Sequence, residues 1–317
     1  MSDIQTLIRA EAARLLENNI VDIVVGFKPG NTPLHPQPAF VTNPQETQDL
    51  ILDGFCQNNL ATYLTRLPKE QKIGMIVRGC ESRAAHALVV ENQHARDRLY
   101  LVGVPCHGIL NWRKIEALAG EDILSAKETD QEVIVQTRKG EFKLNRHELV
   151  HDSCLRCQHP NPVNPDIMLG EPVSVTETEL DDALVNDFNK LSNAERYAYF
   201  VQEAERCIRC YACREACPMC YCTECFVDHS SPRWAESMIS PSGTQAWHII
   251  RAFHQTGRCV SCGACERACP MDIKMTYLTE KLNLDMRQQY GFEAGMDDTT
   301  QPPFAAFSLD DKDRFVS

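Results

Sequence analysis

Apolar and polar positions follow two different rhythms along this chain, and the rhythm changes near residue 175. Ile4, Leu7, Ile8, Ala12 and Leu15 fall on one face of a helix, and Ser2 with Gln5 makes a capping box at its start. Ile20 to Phe27 is a nearly unbroken apolar run, the pattern of a buried strand. Lys72 to Val77 and Arg98 to Val104 predict two more strands, with helical patterns at Glu81 to Val90 and Ile109 to Leu118. Gln131 to Thr137 and Glu141 to Leu144 alternate around Lys139-Gly140, which predicts a hairpin. Strand and helix in succession argue for an α/β domain with a partly parallel sheet over residues 1–175.

Residues 176–290 read as mainly helical. Leu180 to Phe188 is helical in pattern, and Ser192 with Glu195 opens a helix that runs toward Cys207. Thr244 to His254 predicts a helix with Trp247, Ile250 and Phe253 on one face, and Lys274 to Gln288 predicts another. Residues 291–317 hold Pro302-Pro303 and Asp310-Asp311-Lys312-Asp313, the makings of an extended acidic arm. Phe292, Phe304, Phe307 and Phe315 would let that arm dock on a surface.

The cysteines change the picture most. Cys207, Cys210, Cys213 and Cys217-Pro218 follow the spacing C-x2-C-x2-C-x3-C-P, and Cys259, Cys262, Cys265 and Cys269-Pro270 repeat it. This is the ligand run of a chain holding two [4Fe-4S] clusters, in which the fourth cysteine of each run serves the other cluster. Crossed ligation groups Cys207, Cys210, Cys213 and Cys269 on one cluster, and Cys259, Cys262, Cys265 and Cys217 on the other. Structural zinc uses paired C-x2-C knuckles and has no need of C-x2-C-x2-C. Clusters of this kind move single electrons, so the chain belongs to a redox system. The spacer from Pro218 to Arg258 is 41 residues and helical in part. In this the module resembles the α-helical ferredoxin parts of fumarate reductase and heterodisulfide reductase subunits.

Composition narrows the setting. The chain has 317 residues, 43% hydrophobic and 24% charged, with a formal net charge of −12. That is a globular composition, and its acidity argues against a nucleic-acid partner. No apolar stretch approaches the length of a membrane span, and the first residues lack the pattern of a signal peptide. Sixteen cysteines at cluster spacing suit a reducing cytoplasm better than a disulfide scaffold.

A further cysteine set lies in the α/β half. Cys80 follows the second predicted strand and precedes a helix, and Cys106 follows the third strand in the same way. If the strands are parallel, both thiols emerge at the carboxyl edge of the sheet, where open α/β sheets bind ligands. Cys154 and Cys157 add two thiolates, enough for a third [4Fe-4S] cluster, though as a pair they also fit a redox dithiol. Arg78-Gly79-Cys80-Glu81-Ser82-Arg83-Ala84, Gly103-Val104-Pro105-Cys106-His107, and Cys154-Leu155-Arg156-Cys157 with Asp166-Ile167-Met168-Leu169-Gly170 resemble the beta subunit of deazaflavin-dependent hydrogenases and dehydrogenases. The resemblance implies FAD and a [4Fe-4S] cluster in this domain, with electrons passing to a partner protein. It offers Arg78, Ser82 and Arg83 as flavin contacts, whereas the residues alone are equally read as a helix cap paired with Glu81. No G-x-G-x-x-G fingerprint is present. His107 is either a tuning hydrogen-bond donor to the cluster at Cys106 or a structural residue.

Cys220, Cys222 and Cys225, with His229 behind them, fit zinc or a fourth cluster. Cys56 is expected to be an ordinary buried thiol. No set of acid, base and nucleophile points to substrate chemistry. The expected function is therefore an iron–sulfur, FAD-containing electron-transfer subunit of an oxidoreductase of anaerobic metabolism. Hydrogenase, formate dehydrogenase and heterodisulfide reductase partners are all compatible. The alternatives are a flavin-free wiring subunit and a redox-sensing cluster scaffold.

Overall fold

The computed structural model describes residues 2–174, 183–236 and 239–305. Helix α1 (Ser2–Glu17) buries Ile8, Ala12 and Leu15, while Leu7 turns outward. The side chain of Ser2, in the expected capping box, lies outside the described residues; Gln5 exchanges both amide hydrogen bonds with the backbone of Leu52, at 2.7 and 3.0 Å. Strands β1 (Ile23–Lys28), β2 (Gln37–Val41) and β3 (Ile73–Val77) lead into helix α2 (Gly79–Val90). Strand β4 (Leu99–Gly103) and helix α3 (Trp112–Ala119) follow. Then come β5 (Ile123–Glu128), β6 (Glu132–Thr137) and β7 (Gly140–Asn145). Two single-turn helices, α4 (Arg146–Leu149) and α5 (Asp152–Leu155), precede the short strand β8 (Ile167–Met168).

The main sheet has the order β2-β1-β3-β4-β8. β1, β3, β4 and β8 are parallel, and β2 is an antiparallel edge. The core strands β1 and β3 are Val/Ile-rich because both faces of the sheet are covered. α1 packs beside β1 and β3, and α2 follows directly from β3. The expected hairpin is present, and β5 adds a third strand to it. That small sheet covers its own core of Phe55, Leu110, Ile115, Val133 and Val135.

The helical part holds α6 (Ala183–Asn189), α7 (Asn193–Glu205), α8 (Ala212–Glu215), α9 (Pro241–His254), α10 (Ala264–Arg267) and α11 (Thr276–Tyr290). The Ser192–Glu195 capping box opens α7 as expected. Residues 180–182 of the predicted helix before it, and the 175/176 boundary, lie outside the described residues. On α9 the expected face is wrong. Trp247 is buried, but Phe253 is 63% exposed. The buried stripe is Thr244, Trp247, His248 and Arg251, spaced i, i+3, i+4, i+7. Phe253 lies six residues from Trp247, about 120° away around the helix.

The two parts share one apolar core, since Met219, Val260 and Ala294 pack with the residues of the main sheet. Arg258 and Tyr221 both hold Glu91 at the end of α2. Arg113 Nη2 donates to the Cys269 carbonyl at 2.7 Å, and Arg267 Nε donates to the Gln57 carbonyl at 2.9 Å. The arm beyond α11 returns to α2: Arg83 donates to the Ala294 carbonyl and pairs with Glu293, and Gln301 donates to Val90. Phe304 stays 66% exposed, and residues 306–317, with Phe307, Phe315 and the acidic run, lie outside the described residues. Among the described residues, no helix is long and apolar enough to cross a membrane.

Candidate iron–sulfur centres

The two C-x2-C-x2-C-x3-C runs fold alike. Arg209 and Ser261 occupy equivalent positions, and both are left-handed, at φ 51° and 56°. Tyr211 and Gly263 are left-handed too, at φ 60° and 68°, and each caps a single helical turn, α8 or α10. This reversal turns backbone N–H groups toward sulfur. Arg209 N–H donates to Cys207 Sγ at 3.3 Å, and Ser261 N–H donates to Cys259 Sγ at 3.4 Å. Gly263 has a second constraint, because any Cβ there would overlap Ser153.

The fourth cysteines reach across. Cys269 and Cys210 lie among the charges acting on Cys207, and Cys269 also acts on Cys213. These four line one cavity together with Cys265 of the other group and with Trp247, His248 and Arg251. In the other group, Cys262 and Cys259 act on Cys265, and Cys262 acts on Cys217.

In the α/β half, strand register places the thiols. Val77 faces Gly103 across β3 and β4. Cys80 and Cys106 each come three residues later, at the carboxyl edge of the sheet. The segment from Cys154 to Cys157 then crosses that edge before the chain returns as β8 beside β4. Cys106 N–H donates to the Pro160 carbonyl at 2.9 Å, which ties the crossing segment down. Gly79 must be glycine, because a Cβ would overlap the carbonyl oxygen of His159. Cys154 acts on Cys106, both act on Cys157, and Cys106 acts on Cys80. Cys262 also acts on Cys80, so this group adjoins the Cys259 run.

These pockets suit iron–sulfur clusters. Burial pushes up the thiols of Cys80, Cys106, Cys207 and Cys213, and takes Cys259 to about 12. Buried thiolates are costly without positive charge, and bound iron supplies it while displacing the protons. Among the described residues, no three His, Cys, Asp or Glu side chains converge on a single ion.

The expected flavin contacts each have partners within the chain. Arg78 is 3% exposed, and its guanidinium is bound to both oxygens of Glu81 and to the carbonyls of Cys56 and Asn58. Ser82 donates to the Gly79 carbonyl and accepts from Val163 N–H. Both side chains serve the helix start, as the residues alone allowed. Arg83 lines a cavity beside Cys80 and Cys157, but Ala294 and Glu293 already bind it. His107 is exposed, and Cys106 Sγ accepts from Gly108 N–H at 3.4 Å instead. Cys56 is fully buried, with its thiol on Asp53.

Sequence reasoning passed over the inner face of α9. Arg251 Nη2 donates to the Cys213 carbonyl at 3.0 Å, and its charge faces Cys265, Cys217, Cys220 and Cys213. Gln255 accepts from Cys217 Sγ and donates to Cys220 Sγ, both at 3.4 Å. The signal was present: His248, Arg251 and Gln255 share a stripe with Trp247, and polar groups on a buried stripe need a charged neighbour.

Known proteins agree with this layout. Residues 70–221 match the family described as the carboxyl-terminal part of the coenzyme F420 hydrogenase/dehydrogenase beta subunit, and residues 203–273 match the 4Fe-4S dicluster domain. The chain carries a domain of this beta-subunit family. The F420-dependent formate dehydrogenase subunit beta of Methanocaldococcus jannaschii is 25% identical, over 92% of this chain and 91% of its own length. F420-dependent formate dehydrogenase 1 subunit beta of Methanococcus maripaludis is 22% identical, over 91% and 90%. A chain of the F420-reducing [NiFe] hydrogenase complex from Methanosarcina barkeri aligns at 13% identity and TM-score 0.40, over 49% of this chain and 59% of that one. The beta-subunit domain holds Cys80, Cys106, Cys154 and Cys157, and the dicluster domain spans both cysteine runs. This is an iron–sulfur protein of electron transfer.

Proposed function

We propose that the chain is the electron-transfer subunit of a cytoplasmic oxidoreductase complex of the F420-dependent formate dehydrogenase or hydrogenase kind. Three [4Fe-4S] clusters form its relay. Cys80, Cys106, Cys154 and Cys157 hold the first, and Cys259, Cys262, Cys265 and Cys217 hold the second. Cys207, Cys210, Cys213 and Cys269 hold the third. The observation that carries this reading is the contiguity of the three groups. Cys262 lies near enough to both Cys80 and Cys217 to act on their thiols, and Arg251 acts on Cys213 and Cys265 alike. Each cluster passes one electron; the chain's part is spacing, burial and N–H···S bonds that set the potentials.

Resemblance would add FAD to this chain. The full engagement of Arg78 and Ser82 favours the second reading, a flavin-free relay whose partner splits the electron pair. Protein purified without oxygen should carry at least about twelve irons and as much sulfide (three four-iron clusters). Flavin released by acid decides between the readings: one per chain assigns the splitting to this subunit, and none assigns it to the partner. An iron content of about eight that Cys80→Ser leaves unchanged would sink the cluster of the α/β half.

A further inference from the structure

Cys220, Cys222 and Cys225 remain outside the three groups. The repeat itself says they serve something else. Cys217-Pro218-Met219-Cys220 corresponds to Cys269-Pro270-Met271-Asp272, and both segments make the same turn, with N–H to carbonyl bonds of 3.1 and 3.2 Å. Where one run has Cys220, the other has an aspartate, so the duplicated ligand pattern does not use that position.

The three cysteines line a cavity of about 370 Å³ between α9 and the segment after the first run. Arg66, Arg214, Arg251 and Arg258 also line it, against the carboxylates Glu215 and Asp228. With Arg258 already paired to Glu91, three positive side chains against two negative leave a surplus of one, which suits an anionic group. Arg251 is 7% exposed, and its buried Nε has no hydrogen-bond partner among the described residues. A buried guanidinium N–H without an acceptor is costly, and an inorganic sulfide or thiolate in the cavity would satisfy it. Arg251 also lines the cavity of the Cys207 group, so one side chain forms a wall of both.

We propose that Cys220, Cys222 and Cys225 hold a fourth iron–sulfur cluster through three thiolates, with its remaining iron facing the cavity and carrying water or hydroxide. Transfer of a preformed cluster from a thiolate donor breaks three S–H bonds here and three Fe–S bonds on the donor, forms three Fe–S bonds here and passes the three protons to the donor's thiols, with no change of oxidation state. In use, the cluster gains or loses one electron in exchange with the cluster at Cys217. Gln255 bridges the two, through its contacts with Cys217 and Cys220. The relay then branches at the Cys259 group, with the Cys207 group on one limb and the new cluster on the other. This rests on the three-cluster reading above.

The test is anaerobic reconstitution of the full chain with iron and sulfide. Wild type should hold about sixteen irons, and Cys222→Ser about twelve (four per cluster). Cys222 is exposed, so that change spares the core, and Cys225→Ser provides a second variant. Ferricyanide should strip the thiolate-free iron and give the EPR signal of a three-iron cluster in wild type, and none in either variant. About twelve irons in wild type, unchanged in both variants, would overturn the fourth cluster and leave the relay standing. Zinc bound in wild type and lost from both variants would overturn it as well. Wild type well below twelve irons would instead count against the relay.

Discussion

Glu81 holds Arg78 in a two-point ion pair, Nε to Oε2 at 3.0 Å and Nη2 to Oε1 at 2.9 Å, and neither side chain reaches solvent. The same carboxylate accepts from the Leu60 and Arg78 N–H groups. The pair therefore joins the start of α2 to the segment that carries Cys56 and Asn58. Glu81→Gln keeps the shape but strands a buried guanidinium. We predict a loss of about 3–5 kcal/mol, read as a lower urea midpoint at unchanged slope.

The close approach at Gly79 has a sharper consequence. Gly79→Ala forces a methyl into the His159 carbonyl and must displace the segment that carries Cys154 and Cys157. Iron content is expected to fall by about four atoms, with the signals of the two ferredoxin-type clusters retained. Full iron content in this variant would refute the assignment of those cysteines to one cluster.

Crossed ligation predicts which pairs of substitutions act as one. Cys217→Ser and Cys259→Ser should each remove the same cluster, so the double variant loses no more iron than either single. Cys217→Ser with Cys207→Ser should lose two clusters, about eight irons. Iron counts on the four proteins check the prediction, and the reverse pattern would mean uncrossed ligation.

His248 makes stability depend on pH. Burial, then the charges of Arg251 and Arg209, lower its value to about 4 from 6.5. The unfolded chain therefore binds the proton more readily, and the folded state loses stability as pH falls from 6.5 toward 4. Above 6.5 the contribution is fully present. The loss is on the order of 3 kcal/mol by linkage. His248→Gln should flatten the fall of the denaturation midpoint between pH 6.5 and 4; an equally steep fall in the variant would assign the effect elsewhere.

Some of this was legible in the residues. β3 and β4 were plain as apolar runs, and the register between them is what brings Cys80 and Cys106 level. The doubled cysteine spacing carried the two runs, which fold alike. Other parts were hidden for physical reasons. β2 is an edge strand with Phe40 42% exposed, so it lacks a clean alternation. β5 is irregular in register between Ile123 and Ser125, and β8 has only two residues, held by pairing to β4. The inner face of α9 inverted the usual rule, because sulfur-bearing neighbours make Arg251 and His248 better buried than Phe253. Arg78 and Ser82 read equally as flavin contacts and as a helix cap, because a motif does not show which partners the fold supplies; the fold supplies Glu81 and the start of α2.

Arg83 walls the cavity beside Cys80 and Cys157, and its guanidinium is held by the Ala294 carbonyl, 211 positions later in the chain. A growing chain emerges from its amino end, so the first cysteines to be made wait for residues near the carboxyl end before their surroundings are finished. Closing so long a loop is slow compared with forming local helices. Under the proposed relay, iron would enter that site only after the residues near Ala294 have been made.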